Sequence, residues 1–194
     1  MCSNKNLNKG DNVILQQYKI VFGGKMGAGK TEAIKSLSEI PVLQTEAFNT
    51  DAQRHSKMET TVGIDYGEIT LEDNVTIGLY GTPGQSRFDF IWSAITKGAI
   101  GAVILIDHHS DNSIQELESY LETFQNFTDN IAIGITHTDL ISENSKSTGI
   151  YKDWLLQNDL FSPLYFIDAR KKDDVLLLLE ALITSIEVNS NIAN

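Results

Sequence analysis

One cysteine and three prolines occur in 194 residues. Cys2 stands alone in a polar stretch, so the chain has no disulfide framework, and a reducing cytoplasm is the expected compartment. Basic side chains are also scarce. Fifteen Lys and Arg face 26 Asp and Glu, giving a formal net charge of −11 and a pI near 4.7. Nucleic acid and anionic membrane surfaces reward clustered cations, so the charge argues against both as partners. Long apolar runs are missing too, and no segment reaches the length that spans a bilayer. Residues 1 to 12 are rich in Asn and Lys without the apolar core of a secretory signal. Cys2 rather than glycine follows Met1, and the ending Asn-Ser-Asn-Ile-Ala-Asn carries no prenylation cysteine, so no permanent lipid anchor is expected. What remains is 41% hydrophobic and fits one well-buried domain over 13–188, with tails at 1–12 and 189–194.

Against this background Gly24-Lys25-Met26-Gly27-Ala28-Gly29-Lys30-Thr31 matches G-x-x-x-x-G-K-[ST], the spacing of a phosphate-binding loop, at every fixed position. A β-prone run, Tyr18 to Phe22, precedes it. Ala33, Ile34, Leu37 and Ile40 follow at helical spacing until Pro41. Gly24, Gly27 and Gly29 let successive N–H groups, including those of Met26 and Ala28, turn around a phosphate, and the helix start adds its positive end. Lys30 reaches the terminal phosphates, and the Thr31 hydroxyl is a Mg²⁺ ligand. The loop predicts a nucleotide without saying which.

Further along, Gln44 to Thr61 is polar and aperiodic, which predicts a functional or mobile connection. Gly67–Leu71 and Val75–Tyr80 alternate around Glu72-Asp73-Asn74 and predict a hairpin. A helix is predicted over Phe88 to Lys97, and buried strands over Ala99 to Asp107 and Ile131 to Ile135 with an amphipathic helix, Ser113 to Phe127, between them. Ser147 begins a helix running to Leu156, Leu164 to Ile167 is a short strand, and Asp173 opens the last helix. The fold class is α/β: a single P-loop domain with a mostly parallel six-stranded sheet, one antiparallel edge strand, and helices on both faces. Ligands in such sheets sit beyond the carboxyl ends of the strands, which points to Gly24–Thr31, Gly81–Arg87, Thr136–Asp139 and Asp168–Lys171.

The order of these loops resembles the Ras-like small GTPases from Tyr18 to Val188. Thr60-Thr61-Val62-Gly63-Ile64-Asp65 resembles switch I, which implies that Thr61 closes on Mg²⁺ and the γ-phosphate. Gly81-Thr82-Pro83-Gly84-Gln85 resembles switch II, with Gly84 sensing the γ-phosphate and Gln85 orienting the attacking water. Thr136-His137-Thr138-Asp139 stands where the family has N-K-x-D, and Asp139 can accept from N1–H and the N2 amine of guanine, a donor pair that adenine lacks. Asp139 also reads as an ordinary helix cap. Asp168-Ala169-Arg170 resembles the S-A-K loop, whose Ala169 N–H meets the guanine oxygen. The resemblance thus implies GTP and GDP as ligands, Mg²⁺ as cofactor, and a molecular switch that partners read.

Two departures stand out. The family opens switch II with an aspartate that holds the Mg²⁺ water shell, and here that position is Gly81; a loop position that is usually glycine is Met26. Both predict slow intrinsic hydrolysis. The first departure also resembles the bacterial Mgl-type polarity GTPases, which implies a roadblock-fold regulator as activating protein. Asp65 or Asp107 is a stand-in for the missing carboxylate. Arg54 and Arg87 each read either as a cis arginine finger or as a solvated charge, and His108 and His109 read as surface loop. The rival reading is a non-hydrolysing interaction module with structural nucleotide. A metabolic kinase would need a lid of arginines, and the chain has three arginines in all.

Overall fold

The computed structural model describes residues 17–47, 62–71, 75–84, 89–140 and 147–192. Seven strands and five α-helices occur among them in the order β1 (Gln17–Gly23), α1 (Lys30–Leu37), β2 (Leu43–Ala47), β3 (Val62–Thr70), β4 (Thr76–Gly81), α2 (Asp89–Thr96), β5 (Gly101–Asp107), α3 (Ser113–Gln125), β6 (Ile131–Thr136), α4 (Gly149–Gln157), β7 (Leu164–Phe166) and α5 (Lys172–Ile192). The strands form one sheet in the order β2-β3-β4-β1-β5-β6-β7. All its pairings are parallel except β2 with β3 and β3 with β4.

Alternation along the central strands builds two cores. Ile20, Phe22, Val103 and Leu105 point to one face, where α1 places Ala33, Ile34 and Leu37 and α5 places Val175, Leu178, Leu179 and Leu182. Val21, Ile104 and Ile106 point to the other, under Trp92 of α2, Leu117, Tyr120, Leu121 and Phe124 of α3, and Tyr151 and Leu155 of α4. At the end of β1 the tip of the Phe124 ring meets Gly23, where an added Cβ would come within 2.6 Å of it. Aromatic bulk from α3 thus fixes the strand from which the phosphate loop departs.

The sheet has seven strands rather than the expected six. Gln44, expected to begin an aperiodic connection, lies in β2, whose backbone pairs with β3 from Leu43↔Tyr66 to Ala47↔Val62. The single antiparallel strand, β3, is therefore second from the edge, with β2 outside it. Helix α1 stops three residues before the predicted end. Ser38 caps it, its N–H donating to the Ile34 carbonyl, while its hydroxyl binds the Ile40 carbonyl and accepts from Glu68 N–H. Helix α5 runs on to Ile192, through residues expected in a tail. No helix among the described residues is long and apolar enough to cross a membrane.

Candidate functional site

Four loops at the carboxyl ends of strands are expected to carry function, and their described residues gather at one rim of the sheet. The loop after β1 turns through three glycines with positive φ, +140° at Gly24, +89° at Gly27 and +95° at Gly29, the last being the residue before α1. Gly24 has no room for a side chain, since a Cβ there would lie 2.3 Å from the Leu105 carbonyl oxygen. Lys30 folds back over the loop, donating to the Gly24 carbonyl at 2.6 Å and the Lys25 carbonyl at 2.8 Å. Its side chain is buried, and among the described residues no carboxylate forms an ion pair with it. Burial pushes its pKa down to about 8, with the Asp65 charge acting weakly the other way. A buried ammonium whose only hydrogen-bond partners among the described residues are carbonyls, beside a cavity of about 400 Å³ that also touches Gly29, Thr31, Asp65, Thr82 and Gly84, is a fit for a phosphate chain.

On the metal side, the Thr31 hydroxyl donates to Asp65 Oδ2 at 2.5 Å, and the other oxygen of that carboxylate accepts from Gln44 Nε2 at 3.3 Å. No group of three or more His, Cys, Asp or Glu among the described residues could hold a metal unaided. The donor set present, a hydroxyl and a carboxylate next to a phosphate site, suits a hard ion that keeps water and phosphate oxygens in its shell.

The loop after β4 rests on the phosphate loop. Thr82 donates to the Phe22 carbonyl with both its N–H (2.9 Å) and its hydroxyl (3.1 Å), and Gly84 accepts from Met26 N–H at 3.3 Å. A Cβ at Gly84 would fall 2.2 Å from Met26 N, so only glycine permits this approach. The Met26 side chain projects into solvent beside it, 73% exposed. Thr61, Gln85, Arg54 and Arg87 lie outside the described residues.

At the far end, the buried Thr136 hydroxyl lies 3.1 Å from the Ala28 carbonyl and 3.2 Å from that of Ile106, so it ties the loop after β6 to the phosphate loop. A Cβ at Gly29 would lie 3.0 Å from the Ala169 Cβ, which shows how closely the loop after β7 also abuts. His137, with φ +61°, brings Nδ1 to 3.1 Å from Asp107. Asp139 sits in a 3-10 turn, Thr138–Leu140, and its Oδ2 accepts from Arg170 Nη2 at 3.0 Å. Arg170 also grips Asp168, whose pKa the guanidinium and the Arg170 backbone N–H together hold down at about 2.

Three contacts here were not anticipated from sequence. Lys25 pairs with Glu116 of α3 at 2.9 Å, Ser110 donates to the same Glu116 oxygen, and Gln44 reaches Asp65. The Lys25–Glu116 and Gln44–Asp65 contacts join residues far apart in the chain, where no local pattern could announce them, and Ser110 meets Glu116 across the start of α3. His108, expected on a surface loop, is buried with Nδ1 3.0 Å from the Tyr151 hydroxyl, because the turn after β5 folds under α4; His109 is exposed.

The Ras family model matches residues 19–149, two thirds of the chain. The chain belongs to the Ras family. Its similarity to individual Ras-family proteins is modest. It is 25% identical over 183 residues to tobacco Ras-related protein Rab11C, covering 91% of this chain and 77% of that one. Chicken and bovine Ras-related protein Rab-8A are each 27% identical over 111 residues, which is 56% of this chain and about half, 48%, of theirs. Ras-family proteins are GTP-binding switches that hydrolyse GTP, bind Mg²⁺ and act through regulators and effectors.

Proposed function

We propose that this chain is a cytoplasmic, GTP-binding molecular switch that hydrolyses GTP slowly. One observation carries the reading most. The Thr136 hydroxyl joins the base-side loop to the phosphate loop at the Ala28 carbonyl, so Asp139 and Lys30 flank one continuous rim. Guanine specificity rests on Asp139 and on the Ala169 N–H. Phosphate binding rests on Gly24 to Thr31 with Lys30 as cation. Thr31 and Thr61 would hold Mg²⁺, which would supply positive charge beside the phosphates. Gln85 orients water for attack at the γ-phosphorus; the bond to the bridging oxygen breaks, leaving GDP and phosphate. Arg54 is the candidate arginine finger.

Slow turnover is supported by Gly81, where the family's switch II has a carboxylate, and by Met26, at a loop position that is usually glycine. An activating protein then governs the rate. The run from Tyr80 to Phe90 resembles the bacterial Mgl-type GTPases, and by that resemblance the activating protein has the roadblock fold.

A second reading, a non-hydrolysing interaction module, is favoured by Gly81, Met26 and Thr136, each a departure from the family's residue at its position. Single-turnover cleavage of GTP and ATP with Mg²⁺, for the wild type and Gln85→Ala, separates the two when run beside GDP and ADP binding. Slow GTP cleavage that drops in the variant, with GDP preferred over ADP, is the expected result. GTP that binds and is cleaved by neither protein hands the chain to the second reading.

A further inference from the structure

Gly81 leaves the switch II metal carboxylate unaccounted for, and the register of the sheet shows what stands in its place. Asp65 of β3 is directly opposite Gly81 of β4 in the antiparallel ladder. Residues so paired send side chains to the same face, with their Cβ positions about 5 Å apart. A Cβ built at Gly81 would lie 3.2 Å from Asp65 Cβ and 3.3 Å from Asp65 Oδ2. The carboxylate therefore stands against the space that a side chain at residue 81 would use, and a Cβ there would press it aside by a few tenths of an ångström.

We infer that Asp65 is the metal-positioning carboxylate of this site, delivered from the neighbouring strand into the space left by Gly81. The inference rests on the reading of the site as a Mg²⁺-nucleotide site. Thr31 connects the two. Its hydroxyl hydrogen is directed to Asp65 Oδ2 at 2.5 Å, which leaves its oxygen lone pairs for a cation. An acceptor that fixes a ligand's hydrogen also raises that ligand's basicity, and Asp65 adds a negative charge close to where a divalent ion would sit. Gln44 of β2 holds the remaining oxygen, so the extra edge strand has a part in aiming the carboxylate. Asp107, the other stand-in considered from sequence, is engaged elsewhere, its Oδ1 accepting from His109 N–H at 2.9 Å and facing His137 Nδ1.

The test is the Mg²⁺ dependence of release of a fluorescent GDP analogue, followed in the wild type, Asp65→Asn, Asp107→Asn, and the exchange pair Asp65→Gly with Gly81→Asp. Asparagine keeps the size of Asp65 and an acceptor for Thr31, so binding measured in EDTA should stay within about threefold of wild type while the Mg²⁺ needed to slow release rises about 10- to 100-fold. Asp107→Asn should leave that requirement unchanged. The exchange pair, which returns the carboxylate to β4, should recover most of the response. An Asp65→Asn curve that overlies the wild type overturns the inference, as does equal loss with and without Mg²⁺, which marks a purely structural residue. A wild type that binds GDP with no response to Mg²⁺ also overturns it and leaves nucleotide binding intact, whereas no GDP binding at all brings down the underlying reading with it.

Discussion

Lys30 is a cation held in an environment that disfavours charge, and this has a measurable consequence. Its pKa near 8 lies below the 10.5 of an unfolded lysine. Between those values the unfolded chain binds the extra proton, so stability of the ligand-free protein rises with pH across that window; below about 8 the full burial cost is present. A bound phosphate chain reverses the balance by restoring the charge. GDP affinity should therefore be level below pH 8 and fall above it, and calorimetry at about pH 8.5 in buffers of different ionisation heat should report proton uptake; heats independent of buffer would show that Lys30 is already charged. At the base side the expected split is different. Arg170 is two-thirds exposed, so Arg170→Ala should leave stability nearly unchanged and the preference for GDP over ADP in place. Asp139→Ala removes the guanine acceptor and should lower that preference about 10- to 100-fold in competition binding. The phosphate-loop residues were legible in the sequence because the motif is local. Asp65 opposite Gly81, Lys25 on Glu116 and Arg170 on Asp139 were not, because those contacts exist only once strand register and loop packing bring distant residues together.

Elements were readable to the extent that burial patterned them. The apolar runs of β5 and β6 and the helical stripes of α3 and α5 announced themselves, since each packs on a core. Strand β2, Leu-Gln-Thr-Glu-Ala, did not, because an edge strand is held by backbone pairing and needs no apolar alternation. The start of β3 was obscured in the same way, with Gly63 and Gly67 interrupting its pattern. At Gly67 the absence of a side chain is required, since a Cβ there would meet the Ser38 side chain at 2.7 Å. The turn from β1 into α1 offers a direct test of what shapes the phosphate loop. Gly24→Ala meets both a positive φ and the Leu105 carbonyl, whereas Gly27→Ala meets a positive φ in open space. Chemical denaturation should give a loss of more than about 2 kcal/mol for the first and about 1–2 kcal/mol for the second. Equal losses would mean that β5 does not brace the loop.

At the scale of the whole molecule, a polyanion must reach its site against the field of a protein that carries a formal charge of −11. The cations near the rim are few, and two of them are partly neutralised, Lys25 by Glu116 and Arg170 by Asp168 and Asp139. Local attraction then comes from Lys30 and the loop N–H groups, whose reach is short, while the repulsion of the acidic surface extends over a Debye length, about 30 Å at 0.01 M salt and about 8 Å at 0.15 M. Added salt should shrink the long-range repulsion first and spare the buried contacts. The association rate of GDP at fixed Mg²⁺ should consequently rise about two- to fivefold between those two salt concentrations, with its dissociation rate nearly constant. Stopped-flow mixing with a fluorescent GDP analogue measures both rates. A rate that falls with salt would show that the phosphate loop focuses its field beyond the acidic surface, and would locate the steering charge in the few lysines of this rim.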